Sequence, residues 1–408
     1  MSLIVQKFGG SSVADPDHIR RVAKRISEGF DAGNDMVVVV SAMGDTTDHL
    51  IALAKDVNPH APEREMDMLL ATGEQQTISL LAMALITMGY ETVSFTGWQA
   101  GIVTEHVASK AKIMSIDPKR IEAELADKKI VIVAGFQGVT PNGEITTLGR
   151  GGSDTTAVAL ASALNADYCE IFTDVDGVYT TDPRVVEEAH KIDRISYDEM
   201  LELATMGAGV LHPRCVEVGK NAKVKIHVRS SFNHHEGTCV EDLDAKMMEQ
   251  QMAVSGIAFD RNVAKVSIFD VPDKPGTAAL IFNTLAREHV NVDMIIQAAQ
   301  RENRNKISFT ISSDDMAKTK GIMEELKWEL HAHDTAYMDK IAKVSIVGAG
   351  MITNPGVAAK MFDILAEEDV NIEMIATSEI KVSCAIHEKD MVRAVQGLHR
   401  GFGLSEDV

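Results

Sequence analysis

Five stretches of the sequence concentrate residues that handle phosphate and carboxylate groups. The first, Lys7-Phe8-Gly9-Gly10-Ser11-Ser12, closes the apolar run that starts at Leu3. Glycines let a backbone approach an anion without a Cβ clash. A following helix start adds amide donors and a partial positive charge, and a lysine adds a full charge. The order is not that of a P-loop, G-x-x-x-x-G-K-[ST]. Alone, the stretch reads equally well as a tight turn beside a solvated lysine.

The other four are Ser41 to Thr47, Thr72-Gly73-Glu74, Thr147 to Asp154 (TLGRGGSD) and Thr173 to Arg184 (TDVDGVYTTDPR). Each has a plainer alternative. Arg150 and Glu74 taken singly read as surface charges. Asp174-Val175-Asp176-Gly177 matches only part of a calcium loop and reads as a turn. Gly348-Ala349-Gly350 is half of a dinucleotide fingerprint, lacks the third glycine, and is set aside. His212-Pro213 reads as a helix start rather than a catalytic histidine.

The elements that must position these stretches alternate. Strands are predicted at 3–8, 36–41, 92–96, 130–136, 167–172 and 225–228. Helices are predicted at 15–29, 47–55, 63–88, 117–127, 153–164, 196–205 and 215–221. Strands such as Met36 to Val40 are apolar throughout, which fits a mostly parallel sheet buried on both faces. The class is α/β, a helix–sheet–helix sandwich. Ligands of such sheets bind beyond the carboxyl ends of strands, where most of these stretches fall.

Near Val240 the alternation stops, and a charged, methionine-rich stretch to Gln251 reads as a linker. An internal repeat follows. Val263-Ala-Lys-Val-Ser-Ile268 is echoed by Ile341-Ala-Lys-Val-Ser-Ile346, Pro275-Gly276 by Pro355-Gly356, Val290-Asn291 by Val370-Asn371, and Met294-Ile295 by Met374-Ile375. Each copy reads as a βαββαβ ferredoxin-like unit. A spare strand, 253–259, is expected to complete the second copy. The domains expected are thus 1–245, then 263–338, then 250–262 together with 339–408.

Composition narrows the function. Net charge is −20, which disfavours nucleic acid or an anionic membrane as partner. Four scattered cysteines without a C-x-x-C pair suit a reduced, cytoplasmic protein rather than a disulfide or zinc framework. No leader pattern precedes the first strand. The longest apolar stretch, Ile78 to Met88, is short for a membrane span and reads as a core helix.

In order and wording, the stretches resemble the aspartate kinases of the amino-acid kinase family, over the whole chain. The resemblance rests on Lys7 to Ser12, Gly149 to Asp154, Thr173 to Arg184 and Val210-Leu-His-Pro213. The repeat resembles the tandem ACT modules of these enzymes. The resemblance implies transfer of the γ-phosphoryl group of ATP to the side-chain carboxylate of L-aspartate, with Mg²⁺ on the nucleotide. It implies that Lys7 contacts the phosphoryl group, and that Gly9, Gly10 and Ser11 donate to phosphates. Arg150 would take the substrate α-carboxylate and Glu74 its ammonium. Asp154 would assist with the ammonium or hold Lys7 and Arg150 in register. Ser41 and Thr47 would be substrate-side donors, with Gly151, Gly152 and Ser153 in the same loop. Thr173, Asp174, Tyr179, Asp182, Pro183 and Arg184 would hold the rest of the nucleotide.

The resemblance further implies feedback by lysine, threonine or both at the ACT modules, through Asp273, Gly276, Thr277, Asn291, Gln297 and Asn371. Thr353-Asn354 stands where the first copy has Asp273-Lys274, so the copies should differ in effector contact. A homo-oligomer formed through these modules is implied. So is a separate small subunit from an internal start near Met247 or Met248. One departure stands out: many relatives carry a lysine where this chain has Gly209, leaving Lys220 as a substitute or the nucleotide held without it. The alternatives are an amino-acid kinase with another acceptor, an amino-acid sensor with an inactive kinase half, and a carbamate kinase-like nucleotide-binding module. The set Arg150, Glu74 and Asp154 suits an acceptor carrying both an α-carboxylate and an α-ammonium.

Overall fold

A computed structural model describes residues 2–205, 210–243, 253–299, 304–352 and 354–405. Gly209, Met247, Met248 and Thr353, singled out above, lie outside the described residues. The described chain forms two compact units. The first holds residues 2–178, 191–205 and 210–243; the second holds 179–190 and 253–405.

The first unit begins β1 (Leu3–Phe8), α1 (Pro16–Asp31), β2 (Asp35–Val40), α2 (Thr46–Val57) and α3 (Glu63–Thr87). Then come β3 (Thr92–Phe95), β4 (Ile102–Thr104), β5 (Ile113–Ile116), α4 (Lys119–Ala126), β6 (Ile130–Ala134), β7 (Gln137–Val139), β8 (Ile145–Thr147), α5 (Gly152–Ala163) and β9 (Tyr168–Thr173). It ends with β10 (Arg194–Ile195), α6 (Tyr197–Thr205), α7 (Pro213–Ala222), β11 (Ile226–Ser230) and β12 (Thr238–Val240). The main sheet runs β10-β12-β11-β9-β1-β2-β6-β3, and every pairing except β11 with β12 is parallel.

Its central strands are sealed on both faces. Met36 to Val40 and Ile130 to Ala134 are wholly buried, and Leu81 and Leu85 of α3 pack in the same core. Burial without a polar face is what the continuous apolar runs demanded. A smaller sheet, β5-β4-β7-β8, has strands of three or four residues, too short to show a period in the sequence.

Two boundaries moved for local reasons. The predicted strand 130–136 stops at Ala134, because Phe136 turns to φ 68°, outside the strand region. Helix α4 starts at Lys119 rather than Asp117, because Pro118 precedes it as the cap. Helix α3 is long and apolar enough by length and composition to cross a membrane. Its buried face includes Asp67, Glu74, Ile78, Leu81 and Leu85, so here it is a core helix with charge inside the protein.

The second unit contains β13 (Gly256–Pro272), α8 (Thr277–Arg287), β14 (Ile295–Ala299), β15 (Arg304–Ser312), α9 (Met316–Glu329), β16 (Asp334–Val347), α10 (Val357–Glu367), β17 (Ile372–Thr377), β18 (Lys381–His387) and α11 (Met391–Gly401). One six-stranded sheet, β14-β15-β13-β16-β18-β17, carries both repeats. Two long strands join them. Gly256 to Asp260 of β13 pair with Lys343 to Val347 of the second repeat, and Lys265 to Phe269 pair with Asp334 to Met338 of the first. Charge is exchanged across the join: Lys265 meets Glu373 (2.9 Å), and Lys343 meets Asp293. Each lysine thus takes its carboxylate from the other copy.

The segment 179–190 is built into this unit. Val186 lies in the core with Ile257, Leu365 and Leu398. Thr180 Oγ1 pairs with Nε2 of the fully buried His399 (2.9 Å), and His190 Nδ1 pairs with the Leu404 carbonyl (2.7 Å).

Matched serine pairs mark the two repeats: Ser267 with Ser308 (2.8 Å) and Ser345 with Ser383 (2.7 Å), all buried. Removing one partner strands the other hydroxyl, which costs about 1–3 kcal/mol, whereas removing both can be nearly neutral. Ser383→Ala should therefore lower the chemical denaturation midpoint, and Ser345→Ala with Ser383→Ala should restore part of it. A double variant as destabilised as the sum of its singles would contradict this.

Candidate active site

The site grows from the carboxyl edge of the parallel sheet. Lys7, next to last in β1 between β2 and β9, is 9% exposed and meets Asp154 Oδ1 at 2.5 Å. Asp154 stands in the first turn of α5. A Cβ on Gly9 would lie 3.3 Å from Lys7 Nζ, so the turn leaves little beyond the room the ammonium uses. A 3₁₀ turn, Gly10–Val13, stands between the glycines and the helix expected from Asp15. The next helix, α1, is capped by Asp15, whose carboxylate accepts from the Asp17 and His18 amides. A start whose amides are already taken by a side-chain cap is a poor phosphate seat. Helix α5 has no side-chain cap and begins after Gly151 in the left-handed region, φ 66°, which makes it the helix start suited to an anion.

Close backbone contacts tie the second and third stretches to the first. The Gly44 amide donates to the Gly10 carbonyl (3.1 Å), and the Ser41 amide donates to the Phe8 carbonyl (3.1 Å). A Cβ on Gly73 would stand 2.8 Å from the Ala42 Cβ, so glycine lets α3 approach here. Beside it, Glu74 Oε1 accepts from the Ala42 amide (3.0 Å). Its Oε2 is buried with no hydrogen-bond partner, and the residue is 2% exposed. Burial pushes this carboxyl up to about 7. Thr47, half-buried, sits in the first turn of α2.

Arg150 is exposed, and its guanidinium has no hydrogen-bond or ion-pair partner among the described residues. Ser153 is buried, and a Cβ on Gly135 would stand 2.7 Å from its hydroxyl. His212 caps α7, its Nδ1 accepting from the Arg214 amide (3.3 Å). Burial holds its imidazole below the usual range, which suits a neutral acceptor. A side chain on Gly151 would strike this ring, 2.2 Å away.

The stretch 173–184, expected to hold the nucleotide, is divided. Thr173 and Asp174, joined by a 3.0 Å hydrogen bond, belong to the first unit. Tyr179, Asp182, Pro183 and Arg184 belong to the second, where Arg184 pairs with Asp182 (2.7 Å) and holds that carboxyl below its usual range. Lys220 is engaged by Asp198 (2.5 Å), so a role as substitute for the missing lysine would require breaking that pair.

Among the residues expected to bind an effector, Asp273, Gly276, Thr277 and Gln297 line one cleft of about 190 Å³. Asn291 and Asn371 are not in its lining; Asn371 donates instead to Glu373 (3.3 Å). Gly276 and Gly356 hold φ 96° and 100° at matching helix starts, which accounts for the repeated Pro-Gly pair. The sequence reading missed Asn305. It is 4% exposed, lines the same cleft and donates to Asp273 Oδ1 (2.9 Å). Its signal was an asparagine inside an otherwise good strand, where that residue is disfavoured.

Comparison with known proteins agrees with this layout. The amino acid kinase family profile matches residues 2–230, and an ACT domain profile matches 269–325 and 344–402. The aspartokinase of Bacillus sp. strain MGA3 is 55% identical over 405 residues, spanning 99% of this chain and 98% of that one. Among solved structures, E. coli aspartokinase III in complex with aspartate and ADP is similar with a TM-score of 0.79 and 28% identity, covering 98% of this chain and 99% of that one. The same enzyme with lysine and aspartate gives 0.78 and 27% over the same shares. The chain belongs to the amino acid kinase family, among its aspartokinases with paired ACT modules.

Proposed function

We propose that this chain transfers the γ-phosphoryl group of ATP to the side-chain carboxylate of L-aspartate, giving ADP and 4-phospho-L-aspartate, the entry step to lysine, threonine, methionine and diaminopimelate. The carrying observation is the 2.5 Å meeting of Lys7 and Asp154 beside the uncapped start of α5. An aspartate side-chain oxygen attacks the γ-phosphorus, and the bond to the β,γ-bridging oxygen breaks. The attacking carboxylate is already ionised near neutral pH, so no general base is required. Catalysis then rests on positioning and on charge stabilisation.

In this reading Lys7 and the Gly9-Gly10-Ser11 turn hold the phosphoryl group. Arg150 grips the α-carboxylate, a bidentate task suited to guanidinium. Glu74 faces the α-ammonium, with Asp154 holding Lys7. Gly151, Gly152 and Ser153 line the same loop, with Ser41 and Thr47 donating on the substrate side. Thr173, Asp174, Tyr179, Asp182, Pro183 and Arg184 hold the nucleotide. Mg²⁺ enters on the nucleotide, where carboxylate plus phosphate ligation is the usual arrangement for this ion.

The reading places the catalytic domain at 1–245. The first ACT domain is 263–338, and the second is 250–262 with 339–408. Lysine, threonine or both act at the Asp273–Gln297 cleft, in a homo-oligomer formed through the ACT modules. A small subunit started near Met247 is part of the same reading. Four free cysteines, three of them buried, support a cytoplasmic setting.

ADP release with ATP, Mg²⁺ and L-aspartate tests the reaction directly. Lys7→Ala should remove turnover by at least about a hundredfold and leave effector binding intact. Absence of aspartate-dependent turnover in the parent chain would sink the proposal. Indifference to both lysine and threonine would sink the regulatory part.

Glu74 supplies a second test. Its folded-state value near 7 lies above the ordinary 4.5, so its proton stabilises the fold below about pH 4.5, and that contribution is lost as pH rises through about 7. Ionisation is also what an ammonium ligand needs. Aspartate KM should fall from pH 6 to 8. Glu74→Gln should flatten that fall, raise KM throughout, and melt higher than the parent at pH 8. An unchanged pH profile in the variant would refute the assignment.

A further inference from the structure

Arg150 lies on a loop flanked by glycines in the left-handed region, Gly149 at φ 76° and Gly151 at φ 66°. Such a loop does not by itself aim a long side chain. Two anchors flank it, one fully buried and one half-buried. Asp67, on α3, is fully buried. Its two oxygens accept from the Ser109 amide (3.1 and 2.9 Å), and one of them also accepts from the Thr147 hydroxyl (2.6 Å). Arg214, on α7, donates from Nη1 to the Leu148 carbonyl (2.7 Å) and from Nη2 to the Ala111 carbonyl (2.6 Å). Both therefore tie the segment 109–111 to the residues just before Arg150. The Ala111 amide closes the connection on the Thr147 carbonyl (3.0 Å).

The packing leaves little play. A Cβ on Gly149 would stand 3.1 Å from the Ser109 carbonyl, and His212, two residues before Arg214, fills the space beside Gly151. A carboxylate bound by buried donors and a guanidinium forked over two carbonyls are rigid, charge-assisted anchors. Neither side chain points its charge at the exposed Arg150 head; each acts on the backbone that carries it.

We propose that Asp67 and Arg214 are positioning residues that set the aim of Arg150, and through it the selectivity for an acceptor bearing an α-carboxylate. This rests on the reading that Arg150 takes that carboxylate. Small displacements of a positioning group are felt strongly, because an error of about 1 Å can cost on the order of a hundredfold in rate.

The test uses the full chain with two acceptors, L-aspartate and its α-carboxamide analogue, which keeps the side-chain carboxylate and the ammonium. Arg214→Lys loses the fork, and Asp67→Asn loses the charge while keeping its size. Each should raise the KM for L-aspartate about tenfold, leave the KM for ATP unchanged, and reduce the preference for L-aspartate over the carboxamide. In an Arg150→Ala background neither should reduce that preference further. Equal losses on both acceptors, or losses that persist without Arg150, would overturn the proposal and leave the Arg150 reading standing. An unchanged preference in Arg150→Ala alone would remove that reading, and this one with it. Should Arg214→Lys fold poorly, Asp67→Asn carries the same comparison.

Discussion

The structure turns on one constraint: a lysine ammonium and an aspartate carboxylate must meet almost out of water at the carboxyl edge of the parallel sheet. Lys7 and Asp154 come from the end of β1 and the first turn of α5. Removing one partner of such a pair costs about 3–5 kcal/mol, because the other charge is left buried. The surrounding backbone is accordingly fixed. Both flanks of β1 are paired in parallel register, and Gly10 interlocks with the turn that follows β2. The glycines are spent where two backbones touch, not on flexibility.

The same logic separates residues by task. Groups facing the cleft are left underbonded: Arg150 is exposed and unpartnered among the described residues, and Glu74 keeps one buried oxygen without a donor. Asp67 and Arg214, behind them, are each hydrogen-bonded to protein partners. Unsatisfied polar atoms in a native protein call for a reason. For Glu74, the proposed function supplies one: the substrate ammonium would complete it.

Much of this was legible in the sequence. The continuously apolar strands announced a parallel sheet, and the glycine-rich turns announced close approach. The repeat was visible as repeated words. What was hidden depended on contacts between distant residues. The β4, β5, β7 and β8 strands are too short to carry periodicity. Nothing local to Asp67 reveals that Ser109 and Thr147 bond it. Nothing local to Asn305 reveals its contact with Asp273. The TDVDGVYTTDPR motif looked like one loop, yet it crosses from one compact unit to the other between Val178 and Tyr179.

That crossing bears on how the protein can be cut. Residues 179–190 are structural members of the ACT-bearing unit, filling its core with Val186 and covering His399 through Thr180. A fragment beginning at Met247 leaves them behind. It would present to solvent an apolar seam beside Ile257 and Leu398, with a histidine stripped of its hydroxyl partner. Any independent existence of that half therefore requires a replacement cover, either a rearranged N-terminus or another polypeptide laid along the same seam.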